Sequence, residues 1–313
     1  METVNQRQAE LRRNGEYWEQ IRREKYRGGG HPPIVYDFRP PFLFDCRLNC
    51  DRRMGIGDQI CLVSAIQMVA DKVGGGNVLL AYDPAYPGSA DVFGMAGLPL
   101  TTDPAGARPG ATLIPCRGHI MECPLNTDRP CLYGEMQGNP IAQILYNWGW
   151  HGLFAGHPVR LRLTPSNAAI ARAEAITAGI TGGIVTCTPL EVSRGNHDCS
   201  VDAWRAALLE HCNPESTILF GCSKADMPQM QAMMRDMRLP HVTEIVTEPL
   251  PVWKALIDLS DAVFTGNSFG MWLAIGSQTP AYVLQHTDPN HAHNLMWDIK
   301  AHWNCRNVEI IHV

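Results

Sequence analysis

The sequence predicts an α/β fold in which two Rossmann-like domains face each other, preceded by an N-terminal helical extension. From Ile34 to the C-terminus, short apolar segments alternate with segments of helical periodicity. Continuous apolar strands between helices are typical of a parallel sheet that is covered on both faces. The alternation runs twice, with a break at residues 157–165, where Pro158 and Pro165 enclose a short Arg-containing strand that suits a linker. A chain of 313 residues is long enough for two domains of ordinary size.

The individual elements follow from apolar periodicity and from the residues that interrupt it. The charged N-terminal segment has apolar residues at helical spacing, and Gly28–Gly30 ends it. Apolar runs predict strands at residues 78–82, 112–114, 183–187, 217–220, 242–246, 262–264, 281–284 and 308–311. Helices are predicted at residues 59–73, 166–178, 201–212, 227–237, 251–259 and 270–275. These elements divide the chain into a helical extension (1–33), an N-terminal Rossmann-like domain (34–160) and a C-terminal Rossmann-like domain (161–313).

Composition narrows the class of protein. No apolar run approaches the ~18 residues of a membrane span, and the charged N-terminus is no secretory signal. The net charge of −5 provides no general attraction for nucleic acid. Eleven cysteines form no CxxC pair, and several lie within apolar runs, which favours reduced structural thiols in a cytoplasmic protein.

A first motif, Met54–Gln59, places glycines directly before an apolar helix. Such a turn lets a ligand approach the backbone, and the N–H groups of the helix start favour negative charge. The third glycine of a dinucleotide fingerprint is missing, because Ile60 stands there. Asp58 suits two roles at this point: it can cap the helix, or it can face a ligand as a base.

A second motif follows the predicted strand 262–264. Thr265, Asn267 and Ser268 form a short polar loop, and a helix is predicted from Gly270. Hydroxyl groups and helix N–H groups at the C-terminal end of a parallel strand suit a diphosphate. An ordinary strand–turn–helix junction is the alternative interpretation of the same residues.

Together, the two motifs resemble those of the lipopolysaccharide heptosyltransferases (glycosyltransferase family 9), which adopt the GT-B architecture. Gly55, Gly57 and Asp58 match the family's G-x-G-D turn, whose aspartate is the expected general base. The family's donor loop reads D-S-G-x-x-H-L-A-x-A-x-G-x-P. The residues that match this loop are Ser268, Leu273, Ala274 and Pro280, with Gly276 two positions before the family's second glycine.

The departures from the family pattern fall in the donor loop. Asn267 replaces the aspartate, Trp272 replaces the histidine, and Gly270 is displaced by one position. These changes put heptose and ADP specificity in doubt. The reaction class is less affected than the identity of either substrate.

A third segment also resembles the family. After the strand 183–187, a polar loop precedes a helix that carries Trp204. In the family this loop supplies hydroxyls and a basic residue to the donor phosphates. The corresponding residues here are Thr186, Thr188, Ser193 and Arg194.

The resemblance implies a metal-independent glycosyltransferase that moves a sugar from a nucleotide-sugar co-substrate to a hydroxyl of a glycan or glycolipid. It implies Asp58 as the catalytic base in an N-terminal acceptor domain, with Gly55, Gly57 and Gln59 in the acceptor-side loop. The implied donor-binding residues of the C-terminal domain are Thr186, Thr188, Ser193, Arg194, Thr265, Asn267, Ser268 and Gly270. No cofactor is implied, and the chain has no DxD sequence of the kind that holds a divalent metal.

Three alternatives remain open. A viral type of glycosyltransferase with this architecture modifies hydroxymethylated pyrimidines in DNA, and residues 1–39 have a slight excess of basic over acidic residues. A sugar-nucleotide epimerase shares the architecture but needs carboxylates that the loop around Asn267 lacks. A non-catalytic nucleotide-sugar binding protein fits the altered donor loop, whereas Asp58 argues against it. The sugar, the nucleotide, the stereochemical outcome and the oligomeric state are not predicted.

Overall fold

A computed structural model describes residues 36–47, 55–86, 88–104, 109–116, 141, 144–145, 148–154, 161–190, 199–266, 268–277, 279–285 and 307–313. These residues form an α/β structure with two parallel sheets, which confirms the predicted fold class. The predicted N-terminal helical extension (1–33) lies outside the described residues. No helix in the described ranges combines the length and apolar character needed to cross a membrane.

The first sheet is built from the N-terminal half of the chain, with strand order β3-β2-β1-β4. Its strands are β1 (Phe42–Asp45), β2 (Val78–Ala81), β3 (Leu100–Thr101) and β4 (Thr112–Pro115). The accompanying helices are α1 (Ile56–Val73), α2 (Ser89–Gly94) and α3 (His151–Phe154). The sequence predicted β2 and β4 but not β1 and β3, because β3 has only two residues and β1 directly follows two prolines.

The second sheet has six strands in the order β10-β9-β8-β5-β6-β7. Its strands are β5 (Ile184–Thr188), β6 (Thr217–Gly221), β7 (Val242–Val246), β8 (Ala262–Thr265), β9 (Ala281–Gln285) and β10 (Val308–His312). Its helices are α4 (Asn167–Thr177), α5 (Val201–His211), α6 (Met227–Met237), α7 (Leu250–Leu259) and α8 (Phe269–Ile275). Each of these elements lies within one residue of its predicted bounds at either end.

In both sheets, the direction in which the chain adds successive strands reverses at one point. β1 lies between β2 and β4, and β5 lies between β6 and β8, so the sheet grows first to one side and then to the other. Parallel α/β sheets bind ligands in the crevice at this switch point, beyond the carboxyl ends of the strands. The fold therefore marks two candidate positions, one at the ends of β1 and β4 and one at the ends of β5 and β8.

Serine caps explain where two helices of the second half begin. Ser166 Oγ accepts a hydrogen bond from the N–H of Ala169 at 3.2 Å. Ser200 Oγ accepts one from the N–H of Ala203 at 3.1 Å. Each side chain satisfies one of the N–H groups that a helix start leaves unpaired, so the sequence itself sets these starts.

The core joins the two sheets. One continuous apolar cluster includes strand residues of both sheets, such as Phe44 and Val263, together with Trp272 from α8. A second cluster, with Phe220 and Trp204, fills the opposite face of the second sheet under α5 and α6. Burial of apolar area is the main term that stabilises the fold, and here it also holds the two halves against each other.

The connection between the halves differs from the sequence prediction. Residues 161–165 contain no strand, so the predicted Arg-containing strand is wrong over that range. Gln67, which is buried in α1, hydrogen-bonds this segment instead: its Nε2 donates to the carbonyl of Arg162 at 2.6 Å, and its Oε1 accepts from the N–H of Arg162 at 3.2 Å. The amide side chain replaces a strand partner, because it pairs with both backbone groups of one residue.

The described cysteines form no disulfide and are mostly buried. Burial raises the pKa of the Cys61 and Cys187 thiols well above the usual value, so the neutral thiol is favoured. These side chains behave as small apolar core residues.

Candidate functional site

The switch point of the second sheet is lined with hydroxyl groups. Thr188 ends β5 and Thr265 ends β8, and the two residues are paired in register. Thr188 Oγ1 donates to Thr265 Oγ1 at 2.9 Å, and Thr265 Oγ1 lies 3.3 Å from Ser268 Oγ. Thr188 and Thr265 are buried, whereas Ser268 is partly exposed. The chain of hydroxyls thus runs from the buried strand ends to the surface at the start of α8.

Gly270 allows α8 to lie directly on these strand ends. A Cβ atom at this position would overlap Thr188 Oγ1 and would lie 2.5 Å from Thr265 Oγ1. Ser268 caps the helix, because its Oγ accepts from the N–H of Gly270 at 3.3 Å. The sequence predicted these four residues as donor contacts; the structure brings them together and uses the two threonine hydroxyls to hold the turn in shape.

Thr186 lies two residues before Thr188 in β5, on the same face of the strand and further from its carboxyl end. Its side chain is fully buried, and its Oγ1 has no hydrogen-bond partner among the described residues. A buried hydroxyl without a partner costs about 1–3 kcal/mol in desolvation, and such groups in native proteins call for a specific explanation.

Replacing Thr186 with valine is therefore expected to raise the free energy of unfolding by about 1–2 kcal/mol, because valine has the same shape and removes the unpaired hydroxyl. Urea denaturation measures the change. Unchanged or reduced stability would show that the hydroxyl has a partner. Titration of the same variant with a nucleotide sugar tests the predicted donor contact: lower affinity assigns the hydroxyl to the donor site, and equal affinity assigns it to the core.

The first motif forms the start of α1. The helix begins at Ile56, three residues before the predicted start at Gln59, with Gly55 at the N-cap position. Asp58 lies in the first turn, and its Oδ2 accepts from the N–H of Gly55 at 3.1 Å. Asp58 thus supports the helix start from inside the first turn, while its half-buried carboxylate keeps Oδ1 without a partner among the described residues.

Gln59 has a structural position. It is fully buried, and its Oε1 accepts from Ser89 Oγ at 3.0 Å, which joins α1 to the start of α2. The sequence placed Gln59 in the acceptor-side loop, but the structure turns its side chain into the core. Gly55 and Gly57, in contrast, are partly exposed.

The two motifs meet through Gly57 and Trp272. A Cβ atom on Gly57 would lie 2.7 Å from Cδ1 and 2.8 Å from Nε1 of the Trp272 indole. Only glycine permits α1 and α8 to approach this closely. Trp272, which stands in place of the family's histidine, is 4% exposed and forms part of the shared core. As a result, Asp58 and the Ser268–Gly270 turn belong to adjoining helix starts.

A second contact between the two halves joins α2 to the start of α7. The carboxylate of Asp91, in α2, faces the backbone N–H of Leu250, the first residue of α7. Burial raises the pKa of Asp91, and the nearby N–H of Leu250 opposes the rise. A carboxylate at a helix start also interacts favourably with the helix dipole.

Sequence reasoning missed a charged pair at the switch point of the first sheet. Asp45 ends β1 and is buried, and it pairs with Arg47 through two parallel hydrogen bonds of 2.8 and 2.9 Å. The available signal was the polar Asp-Cys-Arg sequence directly after three apolar residues, Phe42–Phe44. It was overlooked because β1 itself was not recognised.

Three predicted donor residues lie outside the described residues: Ser193, Arg194 and Asn267. Their roles stay predictions. Within the described ranges, no three His, Cys, Asp or Glu side chains are grouped as metal ligands.

Comparison with known proteins identifies the fold. No protein-family model and no curated protein sequence matches this chain. The chain is similar to the crystal structure of a glycosyl transferase family 9 protein from Veillonella parvula, with a TM-score of 0.59 and 10% identity over 89% of this chain and 88% of that chain. It is also similar to the ADP-heptose lipopolysaccharide heptosyltransferase II of E. coli, with a TM-score of 0.53 and 9% identity over 86% and 90% of the two chains. The chain thus shares the GT-B fold of family 9 heptosyltransferases over most of its length.

Proposed function

We propose that this chain is a glycosyltransferase that moves a sugar from a nucleotide-sugar donor to a hydroxyl of its acceptor without a metal ion. The main observation that supports this proposal is the contact between Gly57 and Trp272. This contact places the start of α1, which carries the Asp58 carboxylate, next to the hydroxyl-lined switch point of the second sheet. The GT-B fold, shared with a protein named as an ADP-heptose transferase, supports the same activity.

In this proposal, each half of the chain binds one of the two substrates. Residues 161–313 bind the donor at the ends of β5 and β8, where Ser268 is partly exposed, and Arg194, which lies outside the described residues, is the predicted cationic contact. Residues 34–160 bind the acceptor. Thr188 and Thr265 support the donor site indirectly. Their hydroxyls are hydrogen-bonded to each other and hold the turn at the start of α8 in shape.

Transfer proceeds by displacement at the anomeric carbon. Asp58 takes the proton of the acceptor hydroxyl, the acceptor oxygen bonds to the anomeric carbon, and the bond from that carbon to the diphosphate oxygen breaks. The departing diphosphate carries the bonding electrons. The guanidinium of Arg194 and the polar groups of the Ser268–Gly270 turn stabilise its charge, as fixed dipoles and cations do for developing anions.

A screen of nucleotide sugars by thermal stabilisation tests the proposal, followed by an assay for transfer of the bound sugar to water. We expect one nucleotide class to raise the melting temperature and its sugar to be released slowly. Binding without any hydrolysis or transfer would favour the non-catalytic alternative. Absence of binding to every nucleotide sugar would contradict the donor site.

Activity is expected to persist in excess EDTA. The sequence has no DxD pair, and in the proposed mechanism Arg194 and the polar turn take the place of a cation at the diphosphate. The measurement is the rate of donor hydrolysis before and after chelation. A loss of activity that magnesium or manganese restores would show that the enzyme needs a metal.

A further inference from the structure

Cys46 and Cys116 occupy paired positions on neighbouring strands of the first sheet. Asp45, the last residue of β1, is in register with Pro115, the last residue of β4. The N–H of Cys116 donates to the carbonyl of Asp45 at 2.9 Å, so the strand pairing continues one step further. On the other side of β1, the N–H of Cys46 donates to the carbonyl of Ala81 at 2.7 Å. The next registered pair after Asp45 and Pro115 is therefore Cys46 with Cys116.

The two side chains lie on the same face of the sheet. Successive side chains of a strand alternate between the faces, so Cys46 shares a face with Phe44, and Cys116 shares a face with Ile114. Phe44 and Ile114 are themselves in register. All four residues belong to the apolar cluster that joins the two sheets. The two thiols therefore project from adjacent positions to the same side.

The separation of these positions suits a disulfide. Neighbouring strands lie about 4.7–4.9 Å apart, and the Cα atoms of bridged cysteines are usually about 4.4–6.8 Å apart. A bridge between Cys46 and Cys116 thus requires no large movement of either strand. The strand separation is shorter than the most common Cα separation of about 5.5–6 Å, and bridges away from the preferred geometry are easier to reduce.

No other two of the described cysteines are arranged in this way. Cys187, in β5, is in register with Phe220 and Phe264. The remaining described cysteines lie outside the strands: Cys61, Cys199, Cys212 and Cys222. The strand register of the first sheet therefore selects Cys116 as the partner of Cys46.

Both side chains are buried as free thiols, with exposures of 1% for Cys46 and 6% for Cys116. Burial raises the pKa of the Cys46 thiol well above its usual value, and the neighbouring Cys116 raises it further. The thiolate is the attacking species in thiol–disulfide exchange. The pair is therefore expected to stay reduced without an oxidant and to react with one slowly, over minutes to hours.

We propose that Cys46 and Cys116 form a redox-active dithiol, which a low-molecular-weight disulfide such as oxidised glutathione converts reversibly into a disulfide. The dithiol lies at the ends of β1 and β4, one of the two candidate ligand positions that the fold marks. It goes beyond the proposed glycosyltransferase activity and does not depend on it.

The reaction consists of two exchange steps. The thiolate of one cysteine attacks a sulfur of the small disulfide, so that a mixed disulfide forms and one small thiolate leaves. The thiolate of the second cysteine attacks the protein sulfur of the mixed disulfide, which forms the bond between Cys46 and Cys116 and expels the second small thiolate. The two cysteines are oxidised, the small disulfide is reduced to two thiols, and the two cysteine protons end on those thiols. Excess reduced glutathione reverses both steps.

Peptide mapping of the full-length protein tests this proposal. The reduced protein is incubated with oxidised glutathione, the reaction is stopped with acid, and the remaining thiols are blocked with N-ethylmaleimide before digestion with trypsin. Cys46 then lies in peptide 28–47 and Cys116 in peptide 73–117, and neither peptide contains another cysteine. Their nearest neighbours in sequence fall in other peptides: Cys50 in 48–52, and Cys123 and Cys131 in 118–160.

In most molecules, peptides 28–47 and 73–117 are expected to be joined, and the intact chain is expected to lose the mass of two hydrogen atoms. Excess reduced glutathione should remove the link. Cys46→Ala and Cys116→Ala should each abolish it. Cys61→Ala is the matched control, because Cys61 is buried in the same apolar cluster but lies in helix α1, and this variant should form the bridge as the unaltered chain does.

Oxidation in concentrated urea is a second control, because unfolding removes the strand register. Closing a loop costs more entropy as the loop becomes longer. The unfolded chain should therefore link Cys46 to Cys50, four residues away, in preference to Cys116. A preference for Cys116 that is present only in the folded protein shows that the register directs the reaction.

The possible results separate clearly. A link between Cys46 and Cys116 that requires the folded chain and is lost in excess reduced glutathione supports the proposal. Glutathione held on single cysteines, no reaction over the hours of incubation, a link between two chains, or a link of either residue to another cysteine contradicts it. A link that persists in excess reduced glutathione would show a permanent structural disulfide and would overturn the reversible site.

Discussion

Asp58→Asn is expected to lower the rate of sugar transfer by about two to four orders of magnitude, the usual contribution of a general base. The asparagine amide oxygen can still accept the hydrogen bond from Gly55 that Asp58 Oδ2 accepts at 3.1 Å. It cannot take a proton from the acceptor hydroxyl. The lost charge at the helix start costs about 0.3–1 kcal/mol of stability, so the variant should stay folded.

Two further measurements make this result specific. Donor affinity, measured by calorimetry, should stay near that of the unaltered protein, because the proposed phosphate contacts lie on the other sheet. Asp71→Asn is the control, since Asp71 is an exposed carboxylate of the same helix that pairs with Arg162 far from the site. If Asp58→Asn binds donor and transfers at the full rate, Asp58 only supports the helix start and the base is another carboxylate.

The sequence predicted the fold well because periodicity is a local property. In the second half, strands such as β7 and helices such as α6 were placed at their observed ends. Long apolar runs and serine caps such as Ser200 are visible without knowledge of the tertiary structure. β3, with two residues, carries too little pattern to be recognised in this way, and β1 was not recognised because it directly follows Pro40 and Pro41.

The geometry of the candidate site was predicted in part. Thr188 and Thr265 both follow predicted strands, so their proximity at one sheet edge followed from the fold. Their hydrogen bond to each other could not be foreseen, because it depends on the register of β5 against β8. The start of α1 was placed too late, since the glycines at positions 55 and 57 have low helix propensity and hid the first turn.

The contact between the halves was the least predictable feature. Nothing in the sequence around Gly57 indicates a partner more than 200 residues away, at Trp272. Trp272 is informative only in three dimensions: in the sequence it is a departure from a family motif, and in the structure it is the surface against which α1 packs. The glycine of the first motif is therefore required for packing as well as for access to a ligand.

Gly57→Ala is expected to lower the free energy of unfolding by about 1–3 kcal/mol, the usual cost of overpacking. The sign is informative, because alanine within a helix is otherwise about 1 kcal/mol more favourable than glycine. The added methyl group would lie 2.7 Å from the indole of Trp272, so either the buried indole must shift or the helices must separate. Where the helices separate, Asp58 moves away from the donor turn, and the transfer rate should then fall more than donor affinity.

Gly94→Ala is the control for this prediction, because Gly94 ends helix α2 and a Cβ atom there has no neighbour within 4 Å. It should leave stability unchanged or slightly raised. Trp272→Leu provides the decisive comparison, because it removes the indole ring that the new methyl group meets. In that background Gly57→Ala should cost at least about 1 kcal/mol less in urea denaturation, as expected for residues in direct contact. Additive effects would mean that α1 and α8 do not touch at this point, and the proposed pairing of Asp58 with the donor turn would lose the observation that supports it.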